Sequence, residues 1–481
     1  MARIAFVQEE IRDRFGIMLL SACLKKAGHT VDVFISERSS DLDAEVLEFK
    51  PDILGFSTMT AGVAFALNTM RRLKSITGAF TIMGGPHPTF YPEIINEQGL
   101  DAICIGEGEG ALVDLANAFD FGSSIYEIAN LWVKSIHDAS KIYKNELRSR
   151  TDINALPMFD RELYFNKYKE LADAPTKKIF IAKGCPFDCS YCFNHSLKDM
   201  YKGKGKYLQF YTIDNLMAEI RYINEKWGMK WLQIITDTVN VDKDWFMEFM
   251  RRYKAEFDIK YICNVRIDRI DEEIVQMMKA SGCDRVNYGV EHGTYWIRKD
   301  VFTRDMPDAD ILDGGRLFTK YGIRVQTANI IGVPHETVET AMSTVRMNRL
   351  LKPDIAQVFI LQPYPRTQIY EYSRKEGFLP DGYQHSICGT GFQFGFDGTS
   401  DKMQLKLTDE KKLLRLFYLF NFMVQHPWTE HCYKLLLALP ILRVYKAIYM
   451  WPTVKQYLKY EKSLRNKIKM VQKLCLTVIR G

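Results

Sequence analysis

Lys178-Ile179-Phe180-Ile181-Ala182, followed one residue later by Gly184-Cys185-Pro186-Phe187-Asp188-Cys189-Ser190-Tyr191-Cys192, is the stretch from which the rest of the chain is read. The first part is a short apolar run that reads as a strand. The second is a loop with three cysteines spaced C-x₃-C-x₂-C. Three thiolates this close can hold three irons of a cubane cluster and leave the fourth without a protein ligand. Such an open iron can bind a small molecule through an amine and a carboxylate and pass it an electron. A structural zinc ion is the competing reading. Zinc wants four ligands, often as two cysteine pairs. No second pair is present nearby, and His195 is the one conceivable fourth ligand.

Downstream of the loop, strand-like and helix-like segments alternate. Residues 178–183, 231–236, 260–266, 284–290, 323–331 and 355–361 read as strands. Residues 213–227, 244–256, 271–280, 308–321 and 336–351 read as helices, and a last one starts near Thr367. Six βα units in series predict a partial TIM-like barrel. Barrel sites lie at the C-terminal strand ends. There the sequence places Thr236-Asp237-Thr238, Asn264-Val265-Arg266, Gly289-Val290-Glu291-His292-Gly293, Gln326 with Asn329, Gly332-Val333-Pro334 and Gln362-Pro363-Tyr364-Pro365. A carboxylate such as Glu291 can accept hydrogen bonds from ribose hydroxyls or an ammonium. A guanidinium such as Arg266 can grip a carboxylate with two bonds.

Upstream, residues 4–7, 30–35, 52–57, 80–83 and 102–105 are apolar strand-like runs, and residues 15–27, 42–49 and 61–76 read as helices between them. Residues 131–136 read as a sixth strand. Apolar strands each followed by a helix predict a parallel doubly wound sheet, which binds ligands beyond its carboxyl strand ends. Small residues cluster there: Ser57 and Thr58, Gly84 and Gly85, and Gly106-Glu107-Gly108. Glycines admit a large flat ligand close to the backbone. No G-x-G-x-x-G follows the first strand, which disfavours a dinucleotide.

The chain has 481 residues, enough for two or three domains, and a net charge of +6 that does not call for nucleic acid. Its ten cysteines are mostly scattered and do not form a disulfide framework, so a reducing, cytoplasmic setting is expected. The N-terminus reads as a strand rather than a signal peptide, and no apolar run reaches the roughly 18 residues of a membrane span. Gly389 to Gly398 is a Gly- and Phe-rich loop placed to cover the barrel mouth. From Thr408 the chain reads helical. Its tail is basic, with Lys446, Lys455, Lys459, Lys462, Arg465, Lys467, Lys469, Lys473 and Arg480 against Glu461 alone. That pattern reads either as a helical cap with a solvated face or as attachment to an anionic membrane surface.

Together these segments resemble the cobalamin-binding radical S-adenosylmethionine enzymes, the class that holds class B methyltransferases and the anaerobic porphyrin cyclases. Gly84-Gly85-Pro86-His87-Pro88-Thr89 and Gly106-Glu107-Gly108-Glu109 are similar to the loops of the family's cobalamin domain. Cys185, Cys189 and Cys192, with the aromatic Tyr191, match its C-x₃-C-x-Φ-C pattern. The resemblance implies a flavodoxin-like cobalamin domain over 1–135, a linker over 136–175, a partial (βα)₆ barrel over 176–390 and a helical region over 391–481. It implies that the three cysteines ligate a [4Fe–4S] cluster. S-adenosylmethionine would meet Tyr191, Arg266, Glu291, Gln326, Gly332 and Pro334. Cobalamin would meet Ser57, Thr58, Gly84, Gly85, His87, Gly106, Glu107 and Gly108.

Three departures stand out. Related mutases carry Asp-x-His-x-x-Gly after the first strand, where the histidine ligates cobalt from below. Here the region from Gln8 to Gly16 has no histidine, and His87, between two prolines, reads as a loop-shaping or ligand-edge residue. His292 stands where relatives often have serine, and Arg366 where many have glycine, which makes both either substrate-contact candidates or merely tolerated changes. The activity implied is one-electron cleavage of S-adenosylmethionine to a 5′-deoxyadenosyl radical. Methyl transfer through cobalamin to an unactivated carbon of a small or lipid-like molecule would follow. An external flavodoxin- or ferredoxin-type reductant is implied as partner. Radical cyclisation or oxidation of a tetrapyrrole or lipid is the alternative within enzymes. An iron–sulfur electron carrier or redox sensor is the alternative outside them.

Overall fold

A computed structural model describes residues 1–138, 140–381, 383 and 402–460. The expected 389–398 loop, Cys388, Cys475 and the basic residues from Lys462 onward lie outside the described residues. Among those described, the chain forms two compact units. One comprises Met1–Pro186 with Asn194–Asp237, and the other Phe187–Phe193 with residues 238 onward.

The first unit opens with β1 (Arg3–Gln8), α1 (Phe15–Lys26), β2 (Thr30–Ile35), α2 (Leu42–Phe49), β3 (Ile53–Ser57), α3 (Val63–Thr77), β4 (Phe80–Gly84), the single-turn α4 (Pro86–Phe90), β5 (Ala102–Cys104) and α5 (Glu109–Phe121). β6 (Leu131–Lys134) and β7 (Ile142–Lys144) complete a seven-stranded sheet ordered β2-β1-β3-β4-β5-β6-β7. Val7, Phe34, Leu54, Phe56, Met83 and Ile103 from the strands pack with Val63, Leu67, Met70 and Leu73 of α3, which is why these runs are apolar throughout. Gly55 lets β1 and β3 approach: a methyl group there would sit 2.9 Å from the Phe6 ring.

β1 to β5 are parallel as expected, but β6 and β7 are antiparallel and form a hairpin at the sheet edge. The link between β6 and β7 is too short for a crossover helix, which takes about a dozen residues or more. β7 lies in a stretch too polar to read as a strand.

The linker, which carries the aromatic residues Tyr164, Phe165 and Tyr168, forms two short helices, α6 (Glu162–Phe165) and α7 (Lys169–Ala172), before β8 (Thr176–Phe180), β9 (Ala182–Lys183), α8 (Phe193–Met200), β10 (Gln209–Phe210), α9 (Ile213–Trp227) and β11 (Trp231–Ile235). Hydrogen bonds stitch it in place. Tyr164 donates to Gln8 Oε1 at 2.7 Å, Tyr168 donates to the Val33 carbonyl at 3.0 Å, and the buried Arg161 pairs with the buried Glu219 of α9. The first barrel strand is split. β8 pairs in parallel with β11, and β9 turns aside to pair antiparallel with β10.

The second unit carries α10 (Lys243–Glu256), β12 (Lys260–Asn264), α11 (Glu272–Ala280), β13 (Cys283–Glu291), α12 (Asp308–Lys320), β14 (Arg324–Ile331), α13 (Val338–Leu351), β15 (Ile355–Ile360) and α14 (Gln368–Lys375). The four strands pair in parallel in chain order. Asp242, Asp271, Thr337 and Thr367 cap their helices through side-chain oxygens, which fixes where each βα loop ends. Three helices follow, α15 (Glu410–Gln425), α16 (Tyr433–Ala438) and α17 (Leu442–Tyr460). α15 is core rather than appendage: Leu413, Leu416, Phe417 and Phe420 pack with Ile331, Met342, Val345 and Val358.

Candidate active site

In the first unit the strand ends open onto a cavity of about 500 Å³. Ser57, Gly84, Gly85, Gly106, Glu107 and Gly108 line it, six of the eight residues the sequence assigned to cobalamin. Its floor is apolar, with Phe6, Phe15, Leu20, Phe56, Phe90 and Leu112. Thr58 and His87 are buried behind that surface and do not line it. The His87 ring faces Thr60, with Nδ1 at 3.1 Å from its hydroxyl oxygen, and the His87 N–H donates to the Thr58 carbonyl. This histidine therefore shapes the loop.

Two glycines set the edge. Gly85 adopts φ 94° and ψ −170°, a region open essentially to glycine alone. A methyl group on it would lie 2.9 Å from the Thr58 nitrogen. A methyl group on Gly106 would collide with the Tyr201 hydroxyl.

A charged rim surrounds the glycines. Lys183 donates to Glu109 at 2.6 Å and lies 3.6 Å from Glu107, and Arg150 pairs with Glu107 at 2.8 Å. The Glu107 N–H donates to Tyr201, and the buried Asn130 amide donates to the Glu107 carbonyl. Asp237 at the end of β11 also reaches the cavity wall, and burial holds its carboxyl above the usual range against a hydrogen bond from Asn194. The Cys104 thiol in the same wall is pushed up to about 12, first by burial and then by the charge of Glu109. Sequence reading missed Arg150, Lys183, Tyr201 and Asn130. Arg150, Tyr201 and Asn130 come from segments with no motif of their own, and Lys183, though it adjoins the cysteine loop, is brought to the glycine loops only by the fold.

In the second unit a polar cluster forms around Cys189, which is buried. Arg266 and Arg304 each donate an N–H to its Sγ, at 4.0 and 3.8 Å. Arg304 also donates to the Gly289 carbonyl at 2.9 Å, and Arg266 lies 3.6 Å from the Phe187 ring centroid. Tyr191 donates to Glu291 at 2.9 Å. Burial raises the Glu291 carboxyl against the charge of Arg304 and the Tyr191 hydrogen bond. Burial, then the charge of Glu291, raises the Tyr191 phenol. Glu291 sits at φ 63°, a left-handed conformation that costs a non-glycine residue energy and turns its carboxylate into this cluster.

The structure thus joins Tyr191, Arg266, Glu291 and Cys189, as the sequence proposed, and adds Arg304. Gln326 donates to Gln357 on the neighbouring strand at 2.7 Å. Asn329 is buried in a network with Thr327 and Asn348. His292 is fully buried. Its Nδ1 accepts from the Thr294 N–H and its Nε2 lies 3.0 Å from Glu336, whose other oxygen accepts from the Gly332 and Val333 N–H groups. Its contacts are those of a loop clamp. Pro334 is buried in that loop. Arg366 is exposed, at φ 68°.

Cys185 belongs to the first unit, whose segment ends at Pro186, while Cys189 and Cys192 belong to the second. The Cys192 N–H donates to the Cys189 carbonyl at 3.0 Å. Among the described residues no three His, Cys, Asp or Glu side chains form a ready-made metal cage, so the triad rests on its spacing.

These residues fit the groups the sequence implies. A glycine-edged cavity with an apolar floor and amide-binding charges suits a corrin, and a thiol flanked by guanidiniums suits an anionic iron–sulfur cluster. Comparison with known proteins agrees. The B12 binding domain model matches residues 10–116, and the radical SAM superfamily model matches residues 179–347. The chain carries a B12 binding domain followed by a radical SAM domain. Cobalamin, a [4Fe–4S] cluster and S-adenosylmethionine are the cofactors of that pairing.

The chain is 29% identical to an uncharacterized methyltransferase of Pyrococcus horikoshii over 71% of its own length and 73% of that protein. It is 24% identical to the anaerobic magnesium-protoporphyrin IX monomethyl ester cyclase of Rubrivivax gelatinosus, over 74% of this chain and 65% of that one. Its fold is similar to that of the radical S-adenosylmethionine methyltransferase TsrM of Kitasatospora setae, solved with cobalamin and a [4Fe–4S] cluster. The TM-score is 0.69, at 14% identity, over 99% of this chain and all of that one. Among the described residues no helix is long and apolar enough to cross a membrane.

Proposed function

We propose that this radical S-adenosylmethionine enzyme methylates an unactivated carbon of a small or lipid-like molecule. The observation that carries the reading is the glycine-edged cavity beyond β3, β4 and β5, found in the same chain as the Cys189–Tyr191–Glu291–Arg304 cluster. When bound, the cluster with S-adenosylmethionine supplies a hydrogen-abstracting radical, and cobalamin supplies a methyl group.

The chain's own residues bind and orient. Cys185, Cys189 and Cys192 hold the cluster. Arg304 and Arg266 grip a carboxylate and balance the cluster's negative charge. Glu291, fixed by Tyr191, accepts from ribose hydroxyls. Gly332 and Val333, held by the Glu336 clamp, present backbone to the adenine. Ser57, Gly84, Gly85, Gly106 and Gly108 give the corrin close backbone approach, while Lys183, Arg150 and Glu107 meet its amides. Arg366, exposed after β15, is the substrate-contact candidate that remains, since His292 is committed to the clamp. A flavodoxin- or ferredoxin-type protein supplies the electron, and the helical C-terminal region makes the membrane contact.

The likeness to the cyclase favours a second reading, radical cyclisation or oxidation without methyl transfer. Anaerobic reconstitution with a strong reductant tests both. 5′-Deoxyadenosine formation is expected, and its absence rejects both. Deuterated methyl label from S-adenosylmethionine is expected in the product. Turnover without label selects the second reading.

A further inference from the structure

The C-terminal helices carry an outward face that the core does not use. Six of the eighteen large apolar side chains exposed among the described residues fall within residues 428–451: Trp428, Leu435, Leu439, Ile441, Val444 and Trp451. Trp428 is 57% exposed, Leu435 64% and Trp451 54%. They are not stray core residues, because the opposite faces of the same helices are seated. Tyr433 and Leu437 of α16 and Tyr445 of α17 are buried in the cluster built on α13, β15 and α15. Val444 and Trp451 are seven residues apart on α17 and lie on one side of it, while Leu435 is on α16 and Leu439 and Ile441 flank Pro440 in the link between the two helices.

Charge selects the occupant. From His431 to Tyr460 the chain contains no Asp or Glu, while Lys434, Arg443, Lys446, Lys455 and Lys459 fall within it. Lys434 and Arg443 are exposed beside the apolar residues. The acids beside the segment are engaged: Glu430 by Arg346 and Arg349, and Glu339 of α13, which also feels Lys434, by Arg346 and the Tyr433 hydroxyl. An exposed apolar set with a tryptophan at each sequence end, interspersed with cations and with no acid of its own, matches the interface of an anionic bilayer. A protein partner would give no reason for acids to be missing over thirty residues. No described helix can span, so the face lies on the surface.

We propose that Trp428, Leu435, Leu439, Ile441, Val444 and Trp451, with Lys434 and Arg443, form the surface by which this enzyme docks on anionic phospholipid. The proposal deepens the membrane reading given above by placing it on the folded helices instead of the basic segment beyond Tyr460. It is independent of methyl transfer.

The test is sedimentation with vesicles of equal parts phosphatidylglycerol and phosphatidylcholine, compared with phosphatidylcholine alone. Three proteins are used: the full chain, the chain ended after Tyr460, and the full chain with Leu435→Gln, Leu439→Gln and Val444→Gln. Circular dichroism and gel filtration check that each is folded. The full chain and the shortened chain are expected to bind the anionic vesicles, more weakly at high salt, and the triple variant on the order of tenfold or more weaker. Loss of binding on shortening, with the triple variant unimpaired, overturns this surface and leaves the membrane reading to the basic segment. No binding by the full chain overturns both. Equal binding to neutral vesicles overturns the anionic assignment. A dimer of the full chain that the triple variant abolishes, without vesicle binding, overturns it in favour of self-association.

Discussion

Gly85 shows how a single residue sets the cobalamin side of the site. Its backbone lies where only glycine is at ease, and the peptide a methyl group would strike is pinned. The Thr58 N–H donates to the Gly84 carbonyl at 2.8 Å, and the Thr58 carbonyl accepts from His87. The loop cannot yield, so Gly85→Ala is expected to cost about 1–3 kcal/mol in urea denaturation and to weaken cobalamin retention. An unchanged midpoint would show that the loop relaxes freely. Asp237 makes the second residue-scale case. Burial raises its folded pKa above the unfolded value, so ionisation works against folding, from the unfolded pKa upward. Asp237→Asn removes that penalty. The variant is expected to melt with the parent below about pH 4 and progressively above it as pH rises through the parent's folded pKa. A gap that is constant with pH would reject the assignment. Gly84, Gly85, Glu291 and Arg266 were legible because each sits at a strand end and carries its chemistry in its residue type. Arg304 was not: it stands thirteen residues beyond Glu291 in a segment with no strand or motif, and only the turn after β13 brings it to Cys189.

At the scale of elements, the strand–helix alternation was readable almost to the residue because the helices are amphipathic and their caps are polar. α2 and α9 fall at 42–49 and 213–227, as periodicity places them. What escaped, apart from the 13-residue α5, were pieces too short to show a period. β7, β9, β10 and the one-turn α4 are held by neighbours, not by their own pattern. The loop after β14 is another such piece. One carboxylate, Glu336, accepts from the Gly332 and Val333 N–H groups and meets the His292 ring. Removing it strands buried donors. Glu336→Ala is therefore expected to destabilise by about 2–4 kcal/mol and to weaken S-adenosylmethionine binding, while His292→Ala costs less because the two backbone bonds survive. Chemical denaturation with ligand-binding isotherms measures both. Equal losses in the two variants would mean that His292 and not the carboxylate organises the loop.

For the whole molecule, the C-terminal region decides whether the second unit is stable at all. Sequence pattern separates a catalytic barrel over 176–390 from a helical region over 391–481. The packing argues otherwise. Leu413, Leu416, Phe417, Leu419, Phe420 and Met423 of α15 are each at most 1% exposed. They share a core with Ile331 and Val358 of the sheet and with Met342 and Val345 of α13. Burying a large apolar side chain contributes about 1.5–3 kcal/mol, so six amount to on the order of 10 kcal/mol, comparable with the whole net stability of a domain. Arg349 adds a polar tie, donating to the Met423 carbonyl and pairing with Glu430. A chain ended after Asp401 would leave the apolar faces of β14, β15 and α13 bare. It is expected to be insoluble or to melt without a cooperative transition for the second unit, while a chain ended after Tyr460 keeps the parent transition. Calorimetry and soluble yield distinguish the two. A chain ended after Asp401 that melts cooperatively with the parent's enthalpy would mean that α15 is a cover and that the barrel strands close their own core.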